Sequence, residues 1–244
     1  MGSDALHIDV RAKHETGDFR LEATFDVPPG ITVLFGPSGS GKSTLLATIA
    51  GILTPREGRI ALGPEVWFDR KTGKNKPIHE RRVAFVFQSL ALFPHMTAAE
   101  NAGYGVARGV ASSERRRLAI ASLARFRVEH LADRRPATFS GGEAQRVALA
   151  RAFAMEPRAV LLDEPFSALD FTLRRSFIAE LSAAALDLGV PILHVTHHRD
   201  EARILGRRAV LLDHGKVRAA GPIDEVLPGR EDDPAPRSPS KRVI

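Results

Sequence analysis

Gly36-Pro37-Ser38-Gly39-Ser40-Gly41-Lys42-Ser43-Thr44 combines glycine spacing, one lysine and a hydroxyl pair in the pattern G-x-x-x-x-G-K-[ST]. Glycines let successive backbone N–H groups turn inward toward phosphate oxygens. A helix starting there adds its positive N-terminal end. Lys42 is a mobile point charge for β- and γ-phosphates, and Ser43 offers a hydroxyl to a Mg²⁺ that bridges them. A second group, Asp163-Glu164, closes the apolar run Val160-Leu161-Leu162. There Asp163 can hold Mg²⁺, directly or through water, and Glu164 can orient and deprotonate an attacking water. Two acids at a strand end mean little alone; a phosphate loop in the same chain makes them informative. His194, His197 and His198 cluster at the end of another apolar run, but the sequence supplies them with no fixed carboxylate or thiol partner, so a metal site is not expected. Asn75-Lys76-Pro77-Ile78 narrowly misses the guanine-reading N-K-x-D, because Ile78 stands where the acid is needed.

These residues must be delivered by regular elements. Ile31–Phe35 is a compact apolar run that suits a buried strand, and Ser43–Ile52 reads as a helix ending near Thr54-Pro55. Upstream, Leu6–Val10 and Phe19–Phe25 alternate and are followed by Pro28-Pro29-Gly30, the pattern of short antiparallel strands. Gly63–Pro77 is polar and is expected to be a loop around a short strand at Val66–Phe68. Val83–Phe87, Ala159–Leu162, Ile192–Thr196 and Ala209–Leu212 read as further buried strands, with a helix over Leu173–Leu188. Strand alternating with helix predicts a parallel sheet. From Leu90 to Ala154 β-branched residues thin out and Ala and Arg rise. A capping box at Thr97-Ala98-Ala99-Glu100 starts a helix there. Arg115-Arg116-Arg117 reads as the wet side of a helix whose other side carries Ala119, Leu123 and Phe126. The organisation expected is an α/β core over 1–89 and 155–227, an inserted helical unit over 90–154, and a loose proline-rich tail over 228–244.

Composition narrows the classes. The chain has 244 residues, 43% hydrophobic and 26% charged, which is ordinary globular usage. Cysteine is absent, which excludes disulfides and thiolate chemistry. No apolar run reaches a membrane span, and Met1-Gly2-Ser3-Asp4 does not open a signal peptide, so a soluble cytosolic protein is expected. The net charge of +6 comes mostly from arginine, 28 Arg against 7 Lys, and suits anionic partners. No block of five like charges occurs, so a general taste for Arg and Ala accounts for the excess better than an anionic partner does.

Phe139-Ser140-Gly141-Gly142-Glu143-Ala144-Gln145-Arg146 closely resembles the L-S-G-G-Q signature of ATP-binding-cassette (ABC) ATPases, with Phe139 for the leucine and Glu143 for the glutamine. Read without the family, Ser140 to Glu143 is a capping box with two glycines, at a helix start that also suits an anion. Gln88 resembles the family's Q-loop glutamine, Ser167-Ala168-Leu169-Asp170 its D-loop and His197 its switch histidine, all in the family's order. The resemblance implies a RecA-like P-loop NTPase core with an N-terminal antiparallel β-subdomain and an inserted α-helical signature subdomain. It implies ATP and Mg²⁺ as cofactors: Gly36 to Thr44 on the phosphates, Ser43, Gln88 and Asp163 on Mg²⁺, and Glu164, His197 and Gln88 in hydrolysis. Ser140, Gly141, Gly142 and Asp170 would meet the nucleotide of a second cassette in a head-to-tail dimer. An adenine-stacking aromatic is expected upstream of the phosphate loop, at Phe19 or His14. His198 stands where the family often has an acid, and its role is open.

The same resemblance implies transport. With no span of its own, such a cassette works at the cytoplasmic face of the membrane through separate permease subunits and, indirectly, a periplasmic or extracellular solute-binding protein. Leu90-Ala91-Leu92-Phe93-Pro94-His95-Met96-Thr97 resembles the surface that importer cassettes present to a permease helix. Gly30–Gly39 and His79–Gln88 are similar to molybdate-type importer ATPases, and sulfate-type and other oxyanion subunits share part of this. Energised uptake of molybdate or a related oxyanion is the function expected. An exporter-type cassette and a soluble family member acting on nucleic acid or ribosomes are the alternatives, and nucleic acid is not expected as a partner.

Overall fold

The computed structural model describes residues 5–13, 20–106, 109–167, 169 and 171–228. Phe19, His14, Asp170 and nearly all of the expected tail lie outside them.

Strands β1 (Leu6–Lys13) and β2 (Arg20–Val27) pair antiparallel, and β2 buries every second residue, Leu21, Ala23, Phe25 and Val27. Strand β3 (Gly30–Phe35) runs into the phosphate loop and helix α1 (Lys42–Ala50). The helix expected to reach Ile52 stops earlier, because Gly51 turns left-handed at φ 89° and its N–H closes on Ala47 and Thr48 carbonyls. Strands β4 (Glu57–Leu62), β5 (Glu65–Asp69) and β6 (Lys74–Asn75) extend the antiparallel side. The stretch expected as a loop around one short strand therefore holds two; its polar residues are tolerated because β6 is an exposed edge. Helix α2 (Ile78–Arg81) leads into β7 (Val83–Val86). Arg81 is buried and donates to the Ile49 carbonyl at 2.7 Å and to Lys76 O at 3.0 Å, so it satisfies the C-terminal end of α1. Burial lowers its pKa to about 10.

Between β7 and the next strand come α3 (Ala98–Gly103), α4 (Ser112–Arg125) and α5 (Gly141–Ala154). The expected capping box at Thr97 and Glu100 is formed in full. Ala119, Leu123 and Phe126 are fully buried, while Arg116 and Arg117 pair on the surface with Asp133 and Glu114. Then follow β8 (Ala159–Asp163), α6 (Phe171–Leu188), β9 (Pro191–Thr196), α7 (Arg199–Leu205), β10 (Arg208–Asp213), β11 (Lys216–Pro222) and α8 (Ile223–Val226).

The strands of the described residues join one sheet in the order β6-β5-β4-β1-β2-β11-β10-β3-β9-β8-β7. The segment β10-β3-β9-β8-β7 is parallel throughout. Its side chains alternate between two apolar layers. Val33, Val160 and Leu162 face the layer with α3 to α6, while Leu34, Leu161 and Leu193 face Leu45, Leu46 and Ile49 of α1. Among the described residues no helix is long and apolar enough to cross a membrane.

Candidate functional site

Parallel strands place their carboxyl ends along one edge of a sheet, where ligands of α/β folds bind. Here β3 ends in the phosphate loop, β9 in His197, β8 in Asp163-Glu164 and β7, two residues on, in the exposed Gln88. The registers Phe35↔Thr196, Asp163↔Val195 and Val86↔Leu162 bring these four ends level. Residues far apart in sequence therefore share one rim.

The loop is shaped by close approach. A Cβ on Gly36 would lie 2.1 Å from the Leu212 carbonyl oxygen of β10, so no larger residue fits there. Gly39 and Gly41 have φ of 78° and 100°, which glycine adopts at little cost. The loop is also tied from outside, since Gly215 N–H donates to Ser40 O at 2.9 Å. Gly41 caps α1 without a side-chain acceptor, so the first-turn N–H groups have no side-chain partner among the described residues. Lys42 bends back to donate to Gly36 O and Pro37 O, both at 2.9 Å. Burial lowers its ammonium from the usual lysine value, against the opposing charges of Glu164 and Asp163. A dehydrated cation held by two weak carbonyl acceptors is a ready partner for a phosphate. Pro37 and Ser38 follow Gly36 on the loop, Ser40 is buried with an unpartnered hydroxyl, and Ser43 and Thr44 lie in the first turn of α1.

Ser43 and Asp163 approach across the gap between α1 and β8, near enough for the hydroxyl to favour the ionised carboxylate. Burial pushes the Asp163 carboxyl up, against that hydroxyl and the Lys42 charge. A hydroxyl beside a carboxylate whose bare charge is disfavoured is the donor set a hard, oxygen-preferring cation suits. Glu164 takes a left-handed backbone, φ 46°, which is costly for a residue with a side chain. Its N–H donates to Val195 O at 3.2 Å, and its Oε2 lies 3.1 Å from His197 Nδ1. The strained backbone thus aims the acid along the strand edge toward the histidine.

The histidine cluster does have carboxylate partners, contrary to expectation. His197 faces Glu164, and buried His194 lies 2.6 Å through Nε2 from Glu201 Oε1. Both acids are distant or on a different element, which is why the sequence around the histidines did not show them. The His198 ring lies against that of His197, tilted by 37°, with 4.1 Å between ring centroids. Burial, then the charges of Arg174 and His197, lower its pKa, against Glu201 and Glu164.

Ser140-Gly141-Gly142 sits elsewhere. Ser140 caps α5 and completes a capping box with Glu143. Together with Glu143, Arg146, Leu169, Leu173 and Phe177 these three line a cleft of about 390 Å³ that contains no residue of Gly36 to Thr44. A Cβ on Gly141 would meet nothing within 4 Å, and one on Gly142 only the Phe177 ring at 3.9 Å. Packing among the described residues does not require these two glycines.

Residues 22–167 match the family described as ABC transporter. The chain belongs to the ABC transporter family. Among relatives of the cassette, "Molybdenum import ATP-binding protein ModC" of Albidiferax ferrireducens is 44% identical over 225 residues, covering 92% of this chain and 61% of the relative. The protein of that name from Paramagnetospirillum magneticum is 38% identical, covering 90% and 60%. The one from Pseudomonas aeruginosa is 41% identical, covering 92% and 62%. The chain thus spans about 60% of the length of the curated relatives it matches. Among solved structures, the dimeric post-hydrolysis state of the ATP-binding cassette MJ0796 bound to ADP and Pi superposes with a TM-score of 0.76 at 29% identity, covering 90% of this chain and 98% of that one. CbiO1 from Clostridium perfringens, part of the ABC transporter complex cbiONQ, gives 0.80 at 26% identity, covering 93% and 91%.

Sequence reading of this ABC cassette did not single out Arg146. It lies one helical turn beyond Gly142 and lines the same cleft, with its guanidinium 4.3 Å over the Phe177 ring and paired with Glu180. The i, i+4 spacing from Gly142 was the available signal.

Proposed function

We propose that the chain is the ATP-binding and ATP-hydrolysing subunit of an importer for molybdate or a related oxyanion, working at the cytoplasmic membrane face through separate permease subunits. The observation that carries the hydrolytic part is the Glu164–His197 contact of 3.1 Å on the same sheet edge as the uncapped phosphate loop. In this reading the backbone of Gly36 to Gly41 and the start of α1 hold the phosphates, and Lys42 exchanges its carbonyl partners for β- and γ-phosphate oxygens. Ser43, Asp163 and Gln88 are the groups that would hold Mg²⁺, which when bound neutralises charge on those oxygens. Glu164 takes the proton of the water that attacks the γ-phosphorus, and His197 orients Glu164 and the phosphate.

The signature end supplies the other half. Ser140, Gly141 and Gly142, with Asp170 outside the described residues, would close over the nucleotide of a second cassette arranged head to tail. Gly141 facing open space supports this, as does the dimeric cassette among the structural relatives. The segment 90–154 then acts as the unit that presents the signature, and 1–89 with 155–227 as the unit that holds the nucleotide.

For the permease, the segment Leu90 to Thr97 is held firmly. Arg151 donates to the carbonyls of Leu90 and Ala91 at 2.7 Å each, and Asn101 binds Phe93, Met96 and Thr97. A surface fixed from beneath suits a partner that pushes on it. The cargo is inferred from the molybdenum-import relatives, since a cassette does not touch what is transported. Co-purification with its permease subunits and ATPase assay with molybdate, tungstate and sulfate test the proposal. Stimulation by molybdate or another oxyanion is expected; capture of nucleic acid alone, or no ATP hydrolysis with Mg²⁺, overturns it.

A further inference from the structure

We infer that Glu201 is a positioning residue for His197, its buried carboxylate clamping the strand end that carries the histidine to the loop that follows Glu164. The inference rests on the proposed hydrolytic role of Glu164 and His197 and adds what holds them in register.

The geometry is specific. Glu201, in the first turn of α7, is 3% exposed. One of its oxygens, Oε1, takes the hydrogen bond from His194 Nε2 at 2.6 Å. Thr196, on the same strand, has its hydroxyl close enough to that carboxylate to help hold it ionised. The Thr196 oxygen in turn accepts the His198 N–H at 3.1 Å. One carboxylate therefore anchors the end of β9 through His194, beside Thr196, whose hydroxyl oxygen holds His198; Thr196 and His198 flank His197. On the other side, Glu201 Oε2 lies 3.8 Å from Arg174 Nε, and Arg174 Nη2 donates to Leu169 O at 3.0 Å in the loop after β8. Phe166 of that loop packs on the His194 ring at 5.4 Å.

A buried carboxylate is expensive unless fully partnered, and an apolar residue of similar size fills such a space at lower cost. Burial pushes the Glu201 carboxyl up, but its bond to His194, the Thr196 hydroxyl and the charges of His194 and Arg174 outweigh this and hold it below the usual carboxylate range. His197 itself is half exposed. The polar bridge joins the two loops that must move or stay together.

The test uses Glu201→Gln and Thr196→Val in the full chain. Both are expected to bind ATP with wild-type affinity while turnover falls roughly 10–10² fold, the scale of a small misplacement at a reacting centre. In a His197→Ala background Glu201→Gln should add no further loss, because residues acting through one group are non-additive. In the nucleotide-free chain, the His197 imidazole NMR signal, assigned by its loss in His197→Ala, should shift in both variants, while those of His7 and His79 stay. Wild-type turnover in both folded variants overturns the inference. So does an equal fold-loss with and without His197, or an unmoved His197 signal. If Glu201→Gln fails to fold, Thr196→Val, which removes only a hydroxyl, carries the same outcomes. A wild-type chain that never hydrolyses ATP overturns the proposed function instead, and the NMR arm still decides the positioning.

Discussion

The chain has two glycine-rich helix N-termini, and they are finished in opposite ways. At α1 the cap is Gly41, with φ 100° and no side-chain acceptor, and there is no acid in the first turn. At α5 the cap is Ser140, whose N–H and hydroxyl both donate to Glu143 Oε2, at 2.7 and 2.8 Å. The first end leaves its donors to a ligand, while the second consumes two of its own with a carboxylate from the first turn. The glycines differ too. Gly36 is required from within, by the Leu212 carbonyl, whereas Gly141 faces nothing among the described residues. A feature the chain explains by itself belongs to a site complete in one copy. A feature it pays for without an internal reason, two glycines in a helix, points to something that arrives from outside.

The largest effect is expected at the first end. Glu164→Gln should lower ATP turnover by roughly 10²–10⁴ fold, the scale of a lost general base, with ATP binding intact. Steady-state phosphate release and equilibrium nucleotide binding measure the two parts; wild-type turnover would remove Glu164 from its role. Lys42→Ala should weaken ATP binding by about 10² fold, as when one partner of a buried charged contact is truncated. Unchanged affinity by titration calorimetry would mean that the loop is not the phosphate cradle. At the second end, Gly141→Trp should leave ATP affinity of the single chain unchanged yet abolish ATP-dependent pairing, read by sedimentation of the Glu164→Gln chain with and without the second substitution. Pairing that survives the bulky residue would break the contrast between the two ends.

What could be read from sequence divides along the same physical line. The phosphate loop was legible because all of its parts are consecutive, and the two capping boxes because each spans four residues. The strand-end acids became informative only beside that loop. Partnerships between elements were hidden: nothing near His194 announces Glu201, which reaches it only because the chain reverses from β9 into α7. The strand β11 was missed for a different reason. Its residues are mostly small or polar and half exposed, so no apolar alternation marks it. The available signal was His214-Gly215 between two runs, since both take positive φ, 46° and 75°, as a tight hairpin requires. Edge strand β6 shows the same weakness, being two polar residues whose strand pairing, among the described residues, is with β5 alone.

The smallest expected effect separates the two glycines by stability alone. Gly36→Ala forces a methyl to within 2.1 Å of the Leu212 carbonyl oxygen. Overpacking of that kind costs about 1–3 kcal/mol, because strands β3 and β10 cannot both hold their register around the added atom. Gly141→Ala adds a methyl in open space at the start of a helix and gains up to about 1 kcal/mol from helix propensity. Urea unfolding of the nucleotide-free chain should therefore move the midpoint down for the first and leave it level or raise it for the second. If both substitutions destabilised equally, Gly141 would have a structural reason within its own chain, and the argument that it waits for a second cassette would lose its footing.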